Sequence, residues 1–550
     1  MLLSILAWSF ISFICYTWGF IACRMISLNK PLAGIHFPSF SLMCMTGLAL
    51  TGITGLYLSL LFPLNEYVQP LFVVPPILYW LIPPFRKVMI TNIRQAFRFS
   101  SGIALLIVLL CLLMILVISS YHIIHPDTLG YHLQSIIWFE NFKAVPGIVH
   151  IDQELGLQSL WFCAQAIFRP KFFEHNYVIF LNGAVLCWYF IFIGNFIDFK
   201  INDGKRIFLA LLLMTFSLLS WTQVRLTAAS ASPDFIVCLY VLAAAYLFLL
   251  PEKEGERRKG LIIFFSITAV SIKLSSFALL LLPLYLIFAS FQKKQFRSGF
   301  RAMLLSIVLM LPILIRNSIA SGYPLFPSSF MDIPELSWKQ DEQTVAAFRE
   351  YIQTYARVAE DTAIMRYWML TWWSNLSFAD RCLLILLLLL SAISIIRARR
   401  IVQQISTREV WLVVTSITGI IVWWVYAPDP RFSIGFLLLL TILLAGINFR
   451  SSHMIYNKKL LMIYAWLVIT GLAGYTISRF NRFFEVDQLI YPKGAAIGTY
   501  KTTTCYTIPV NVPVRDTLCG GIPAPCLPDS CNSIIPLGKT IEDGFSSSKQ

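Results

Sequence analysis

The chain has 550 residues, of which 57% are hydrophobic, 15% aromatic and only 13% charged, with a mean hydropathy of +0.72. Soluble globular domains are about a quarter charged, so composition excludes that class and indicates an all-α polytopic membrane protein whose spans each need about twenty apolar residues. The net charge of +15 invites a nucleic-acid reading, which fails once the charges are placed between the apolar runs.

In chain order, apolar runs predict spans near 3–22, 41–62, 67–84, 102–120, 176–197, 206–221, 234–250, 260–272, 275–291, 299–316, 380–396, 409–426, 432–448 and 459–478, a bundle of roughly fourteen crossings. The stretch "LIIFFSITAVSIKLSSFALLLLPLYLIF" reads either as two short spans or as one long kinked helix. "GLQSLWFCAQAIF" (156–168) is too short to cross and reads as an interfacial or re-entrant helix. Alternating the loops sends Arg24–Lys30, 85–98, 200–206, 251–260, 292–301, 397–409 and 448–459 to one face. That face holds about 24 Lys+Arg and about 6 Asp+Glu, leaving about 19 and about 22 for the other. Basic loops stay in the cytoplasm, so the basicity is a topology signal and no nucleic-acid partner is expected. "MLLSILAWSF" lacks the charged n-region of a cleavable signal. Arg24 and Lys30 follow the first span, so both termini are expected outside a multi-pass plasma (inner) membrane.

The outward face is the elaborate one. It receives loops 121–175, 222–233 and 317–378, the turn "APDPRF" and the tail 479–550, whereas the inward loops are short connectors. Functional residues concentrate on loops held by a rigid scaffold, so function is expected outside. The domains read as accessory helices over 1–99, a transmembrane core over 100–478 and a tail over 479–550. No inverted repeat of the transporter kind is evident.

Twelve cysteines divide into eight in or beside apolar runs and four in the tail, Cys505, Cys519, Cys526 and Cys531. Four in a Pro/Gly-rich outward segment predict two disulfides with three possible connectivities. A zinc site is disfavoured because no CxxC pair or histidine lies nearby.

Ionisable groups against hydrocarbon are costly and mark function. Four outward clusters qualify: His125, Asp127 and His132 in "HPDTLGYHL", with Asp152 and Glu154 further along; Asp234 in "SASPDF"; Lys273 in "VSIKLSS"; and Asp429 with Arg431 in "YAPDPRF". All are expected near one membrane plane, where distant side chains can line one cavity. Such a cavity suits transfer from a lipid-linked phosphate: a carboxylate takes a proton from an acceptor hydroxyl, and Arg and Lys bind the phosphate. Paired carboxylates can instead hold a divalent cation. Each residue also has a plainer reading. Asp127 and Asp234 precede helices as caps, Lys273 snorkels to the interface, Arg431 clasps Asp429, the histidines bond locally, and Asp152 and Glu154 are solvated loop charges. "YWMLTWWSNLSF" (367–378) reads as an interfacial aromatic belt or a sugar-stacking platform. Residues 341–368 read as an amphipathic helix over the cavity mouth.

The opening "HPDTLGYHL", an Asp directly after a span, resembles the first outer loop of GT-C-fold integral membrane glycosyltransferases. "VPGIVHIDQELGLQSLWFCAQAIF", the lone Lys273, "PDPRF" and the "CGGIPAPC…IEDGF" ending are similar to stretches in an uncharacterised bacterial family of GT-C-like membrane proteins. The resemblance, over about residues 100–550, implies transfer of a sugar from a polyprenyl-phosphate donor to a glycan, lipid or protein acceptor on the extracytoplasmic side. By that resemblance Asp127 is the base or metal ligand and Asp234 a second acid. Lys273 and Arg431, with His125 and His132, contact phosphate or substrate, and Mg or Mn is an optional ion on Asp127 and Asp234. Two departures stand out: three spans precede the loop-one helix where most GT-C enzymes have one, and the loop carries no DxD or ExD pair. The competing classes are a lipid-linked glycan transporter, polymerase or ligase, which needs charges deep within its spans, and a non-enzymatic assembly protein acting through its tail.

Overall fold

The computed structural model describes all residues except 27–37, 100, 170–175, 201–202, 220, 251–254, 358–367, 404, 451–454, 507, 515–517, 528–533 and 548–550. Lys30, the start of the 251–260 loop, the end of the 341–368 helix and Cys531 therefore lie outside the described residues.

The protein is mostly helical, and the longest apolar runs form the longest helices. Among the described residues eight are long and apolar enough to cross a membrane: Leu2–Met25, Phe40–Leu58, Gly102–Ser119, Leu274–Gln292, Phe296–Ser321, Phe378–Ile396, Thr407–Tyr426 and Lys458–Asn481. The expected run 67–84 instead yields two helices, Pro70–Leu81 and Pro83–Ala96, bent by 98° against each other, which together make at most a ninth span. The bend sits at Ile82, whose backbone is extended (φ −77, ψ 110), as the residue before a proline prefers.

The shortfall against fourteen crossings has a physical pattern. Leu181–Gly194, Asp234–Leu249 and Ile434–Asn448 are apolar but only 14, 16 and 15 residues long, and they are buried almost throughout. Their all-round hydrophobicity reflects the centre of a bundle as well as a bilayer. The 260–291 stretch is two helices, Gly255–Ile272 and Leu281–Gln292, joined through Lys273 and a 3₁₀ segment, Leu274–Leu280. Leu160–Phe168 is buried from Leu160 through Ile167 and packs on Phe40–Leu58 and Leu133–Asn141, so it sits inside the bundle, not on its surface.

One apolar core joins residues from Trp8 to Ala495, so the first two helices pack into it with the rest. Gly19 and Gly47 let Leu2–Ile26 and Phe40–Leu58 touch backbone to backbone: a Cβ at Gly47 would sit 1.7 Å from the Cys15 carbonyl oxygen, the close approach small residues permit between membrane helices.

The all-α expectation needs one correction, because the chain also forms short strands. Asn176–Tyr177 pairs with Ala495–Ala496, Tyr500–Cys505 with Ile508–Pro513 and Ile534–Pro536 with Phe545–Ser547, each pair antiparallel. The tail strands dock on the loop that follows Gly102–Ser119. Ile508, Val510, Leu527, Ile534 and Phe545 share a core with Trp138, Val145, Ile148 and Leu155. The Gln134 side-chain amide donates to the carbonyls of Gly520 (3.0 Å) and Ile522 (2.7 Å). Cys519 and Cys526 form a disulfide, and Cys505 is also disulfide-bonded. The N-terminal ammonium donates to the Gln488 carbonyl at 2.5 Å, which places the N-terminus and the base of the tail on one side of the bundle.

Candidate functional site

Four elements bring their ends together on that same side. Gly102–Ser119 leads into Asp127; Asp234 opens the helix Asp234–Leu249; Lys273 occupies the break after Gly255–Ile272; and Arg431 lies in the short turn between Thr407–Tyr426 and Ile434–Asn448. Each side chain is polar because the chain there leaves a helix, and all four meet.

Arg431 is the hub. Its Nη1 donates to Asp127 Oδ2 at 2.9 Å, and its Nε lies 2.9 Å from Asp429 Oδ2 and 3.9 Å from Asp234 Oδ2. Lys273 donates to Asp234 Oδ1 and lies 3.7 Å above the Phe432 ring centroid. The Asp234 side chain is 4% exposed and Arg431 13%, whereas Asp127 and Asp429 are equally accessible at 27%. Burial opposes the Arg431 charge, but Asp429, Asp234 and Asp127 outweigh it and raise the pKa above that of ordinary arginine.

The plainer readings fare unevenly. Asp127 makes no side-chain cap; it precedes a π-helical turn, Thr128–His132, a geometry frequent at functional sites. Asp234 sits at the first helical position, after Pro233, and its carboxylate meets Lys273 and Arg431. Lys273 pairs with Asp234. Arg431 does clasp Asp429, whose carboxylate caps the turn by accepting from the Arg431 backbone N–H at 3.0 Å, and the same guanidinium reaches the other acids. Two indoles brace this turn: Trp372 Nε1 donates to the Pro428 carbonyl (2.5 Å) and Trp423 Nε1 to the Asp429 carbonyl (2.6 Å). Trp372, from "YWMLTWWSNLSF", thereby supports the turn from within.

His125 and His132 are 2% and 1% exposed. His132 Nδ1 bonds Thr128 Oγ1 at 3.0 Å, and its ring packs 5.0 Å from Phe162. Burial lowers the pKa of both histidines; at His125 the charges of Asp127 and Asp234 partly oppose this, while at His132 the neighbouring His125, Lys273 and Arg431 add to it. They form a neutral floor beneath the charges, 5.4 Å apart.

Glu154, named with the first cluster and given the plainer reading of a solvated loop charge, is partly buried, and the solvated reading is corrected. Asp152 caps the turn Gln153–Gly156 by accepting from the Glu154 N–H at 2.8 Å, and this folds Glu154 inward. Its Oε2 lies 3.9 Å from where a Cβ would stand on Gly130, two residues past the Thr128 of the π turn. Among the described residues no cation pairs with it. Burial, then the charges of Asp152 and Asp127, push its carboxyl up to about 7. Burial also raises Asp152. Across the opening lies the amphipathic helix Glu342–Arg357, whose Tyr351 feels the charges of Glu154 and Asp127 and whose Tyr355 ring centroid lies 5.8 Å from the Arg431 guanidinium. Arg316 secures this arrangement from behind: its guanidinium donates to Ser59 O (2.9 Å), Ser59 Oγ (2.8 Å) and Gln158 Oε1 (2.7 Å) and stacks 3.8 Å from the Phe139 centroid. Neither Glu154 nor Arg316 carries a sequence signal beyond polarity near a helix end.

The pocket between Asp234, Lys273, Arg431, Phe432 and Gly435 has a volume of only about 10 Å³, room for a single water.

Residues 1–438 match a family defined by a domain of unknown function, DUF8201. The chain belongs to the DUF8201 family. Its match runs from the first helix through the Arg431 turn, so the helices of 1–99 and all the charged residues of the site fall within the DUF8201 region, while the tail lies beyond it. No curated protein and no solved structure matches the chain.

A divalent ion on Asp127 and Asp234 does not fit these residues. Among the described residues no group of three or more His, Cys, Asp and Glu could hold a metal, and Arg431 and Lys273 already neutralise both carboxylates.

Proposed function

We propose that this DUF8201 protein is a GT-C-like membrane glycosyltransferase that moves a sugar from a polyprenyl-phosphate donor to a glycan, lipid or protein acceptor outside the plasma membrane. The observation that carries the reading is the convergence of Asp127, Asp234, Lys273 and Arg431, distant in sequence, in one ion-pair cluster at one end of the bundle. The fold-level part of the proposal, up to fourteen crossings in a GT-C arrangement, rests on the resemblance of the first outer loop; three short apolar helices bring the long ones to at most twelve, and Gly204–Leu219 and Gly255–Ile272 would supply the other two.

The cluster pairs the carboxylates of Asp127, Asp234 and Asp429 with the cations Lys273 and Arg431, so a phosphate does not simply add to it. It replaces a carboxylate. Asp127 is the one to leave, because it holds Arg431 through a single nitrogen and caps no turn, whereas the equally exposed Asp429 is fixed by the Arg431 backbone N–H. A donor phosphate then takes the freed guanidinium edge, where Arg bonds phosphate in a bidentate manner, and Lys273 adds a second positive charge. The sugar–phosphate bond breaks with its electron pair leaving on the phosphate oxygen, which Arg431 and Lys273 stabilise. The acceptor hydroxyl attacks the anomeric carbon and gives its proton to a carboxylate of the first outer loop, Asp127 once released or Glu154. Glu154 has the better match for a general base near neutral pH. Tyr351 and Tyr355 flank the acceptor side.

The test uses purified full-length protein in nanodiscs with a panel of polyprenyl-phosphate-linked sugars and the membrane extract as acceptor, with products read by mass spectrometry. Transfer by the wild type that is lost in Arg431→Lys and in Asp127→Asn/Glu154→Gln supports the proposal. Undiminished transfer by these folded variants overturns it. The small closed pocket favours a second reading, an ion-pair clasp that only ties helix ends together. In that case undecaprenyl phosphate raises the melting temperature of neither wild type nor Arg431→Gln.

A further inference from the structure

A cavity of about 580 Å³ opens on the flank of the N-terminal helices, far larger than the pocket at the charge cluster. Its walls come from Leu2–Ile26 (Trp8, Phe13), from Trp80 at the end of Pro70–Leu81, from Gly102–Ser119 (Leu112, Leu116) and from Ile93 and Phe97. The lining is almost wholly apolar, so it suits a hydrocarbon chain and not a sugar.

The far end of this groove is charged. Ile93 and Phe97 belong to Pro83–Ala96 and its C-terminal cap, the amphipathic helix turned by 98° from its predecessor. The same segment carries Arg86, Lys87, Arg94 and Arg98, all exposed. None forms an ion pair with a described residue, and no Asp or Glu occurs anywhere between Glu66 and Asp127. A basic amphipathic helix of this kind lies along a membrane surface and attracts anionic headgroups. The helix Gly102–Ser119 separates it from Asp127, so this end faces the opposite leaflet from the charge cluster.

We propose that the groove is a binding site for an anionic phospholipid of the leaflet next to Pro83–Ala96, with its acyl chain along Trp8, Trp80 and Leu112 and its headgroup against Arg94 and Arg98. The two features support each other. The cavity alone would accept any lipid tail, and the basic row alone would need no cavity. Joined at Ile93 and Phe97, they select a lipid that has both parts, and the absence of acids over this whole stretch leaves the headgroup no competitor. The site does not depend on the proposed sugar transfer.

Native mass spectrometry of the full-length protein in mild detergent tests it, with phosphatidylglycerol and phosphatidylcholine of identical acyl chains as competing probes and undecaprenyl phosphate as a third. The expected result is preferential retention of phosphatidylglycerol. Arg94→Gln/Arg98→Gln, both at exposed positions, should weaken it by roughly thirtyfold, since each cation near an anionic lipid contributes about a fivefold factor, while phosphatidylcholine is unaffected. Ser9→Phe, which projects a ring into the groove, should reduce retention of all chains. Equal retention of the two phospholipids by the wild type, an unchanged preference in the double variant, or undisturbed binding in Ser9→Phe overturns the proposal, as does a stronger preference for undecaprenyl phosphate than for phosphatidylglycerol.

Discussion

Removing Asp234 tests whether the charge cluster is coupled. Its carboxylate, 4% exposed, accepts from Lys273 and lies 3.9 Å from Arg431 Nε. Breaking a buried ion pair by deleting one partner costs about 3–5 kcal/mol, mostly from the charge left behind. Lys273 is 26% exposed and keeps its ammonium over Phe432, so Asp234→Asn should fall at the low end, about 3 kcal/mol. Lys273→Met leaves Asp234 beside Arg431 and should cost less, about 2 kcal/mol. The double variant strands neither charge, so the two effects should fail to add by about 1–3 kcal/mol. Unfolding by SDS in mixed micelles, followed through the 15 tryptophans, measures all four corners of the cycle. Strict additivity, with coupling under about 0.5 kcal/mol, would mean that the contact is solvent-bridged or absent and would remove the physical basis of the site.

Other consequences are open to direct measurement. Glu154 titrates near 7 when folded against 4.5 as a free carboxyl. Because its folded pKa is raised, stability should decline as pH rises from about 4.5 to about 7 and then level off; Glu154→Gln should flatten that part of the pH profile, and an unchanged profile would show that the acid is hydrated. Gly147 holds φ +65, and a Cβ there would stand 2.0 Å from the Phe545 carbonyl oxygen, so Gly147→Ala should cost more than the about 1–2 kcal/mol of left-handed backbone strain and speed proteolysis of the tail. Cys519→Ser opens a loop with sequence separation 7 and should lower stability by about 2–3 kcal/mol, read as a drop in the melting temperature. EDTA should leave binding of undecaprenyl phosphate unchanged, since the carboxylates face cations already; a chelator-sensitive affinity would restore the metal.

How far the sequence speaks depends on the kind of signal each residue emits. Apolar length is a direct signal, so Gly102–Ser119 and Thr407–Tyr426 were legible within a few residues. Length is also what misleads, because Asp234–Leu249 and Ile434–Asn448 are greasy on every face through burial among other helices as much as among lipids. Asp127, Asp234, Lys273 and Arg431 were legible as charges at helix ends, where ionisable groups are expensive. Their mutual contact was not, since nothing local encodes which helix ends meet. Glu154 reads as a solvated loop charge for a related reason. An acid in a polar loop looks solvated until a cap at Asp152 turns it inward, and an Asx turn two residues long leaves no periodic trace.

The anchoring of the three aspartates orders the events that any anionic ligand must follow. Asp234 is held by two cations and sealed beneath Phe432, and Asp429 is fixed by its role as cap of the turn and by the indoles of Trp372 and Trp423 behind it. Asp127 is as exposed as Asp429 but has one bond to Arg431 and caps no turn. Asp127 alone can move without unfolding a turn. Replacing it should therefore have opposite effects on binding and turnover. Asp127→Asn loosens the competitor for Arg431, so undecaprenyl phosphate should bind several-fold more tightly than to wild type, about 1 kcal/mol for one charge-assisted hydrogen bond no longer displaced, while sugar transfer falls if Asp127 accepts the proton. If transfer survives and binding still tightens, Asp127 is only a latch and Glu154 is the base. If binding weakens, the carboxylate is not in competition with phosphate, and Arg431 serves the helices and not a substrate.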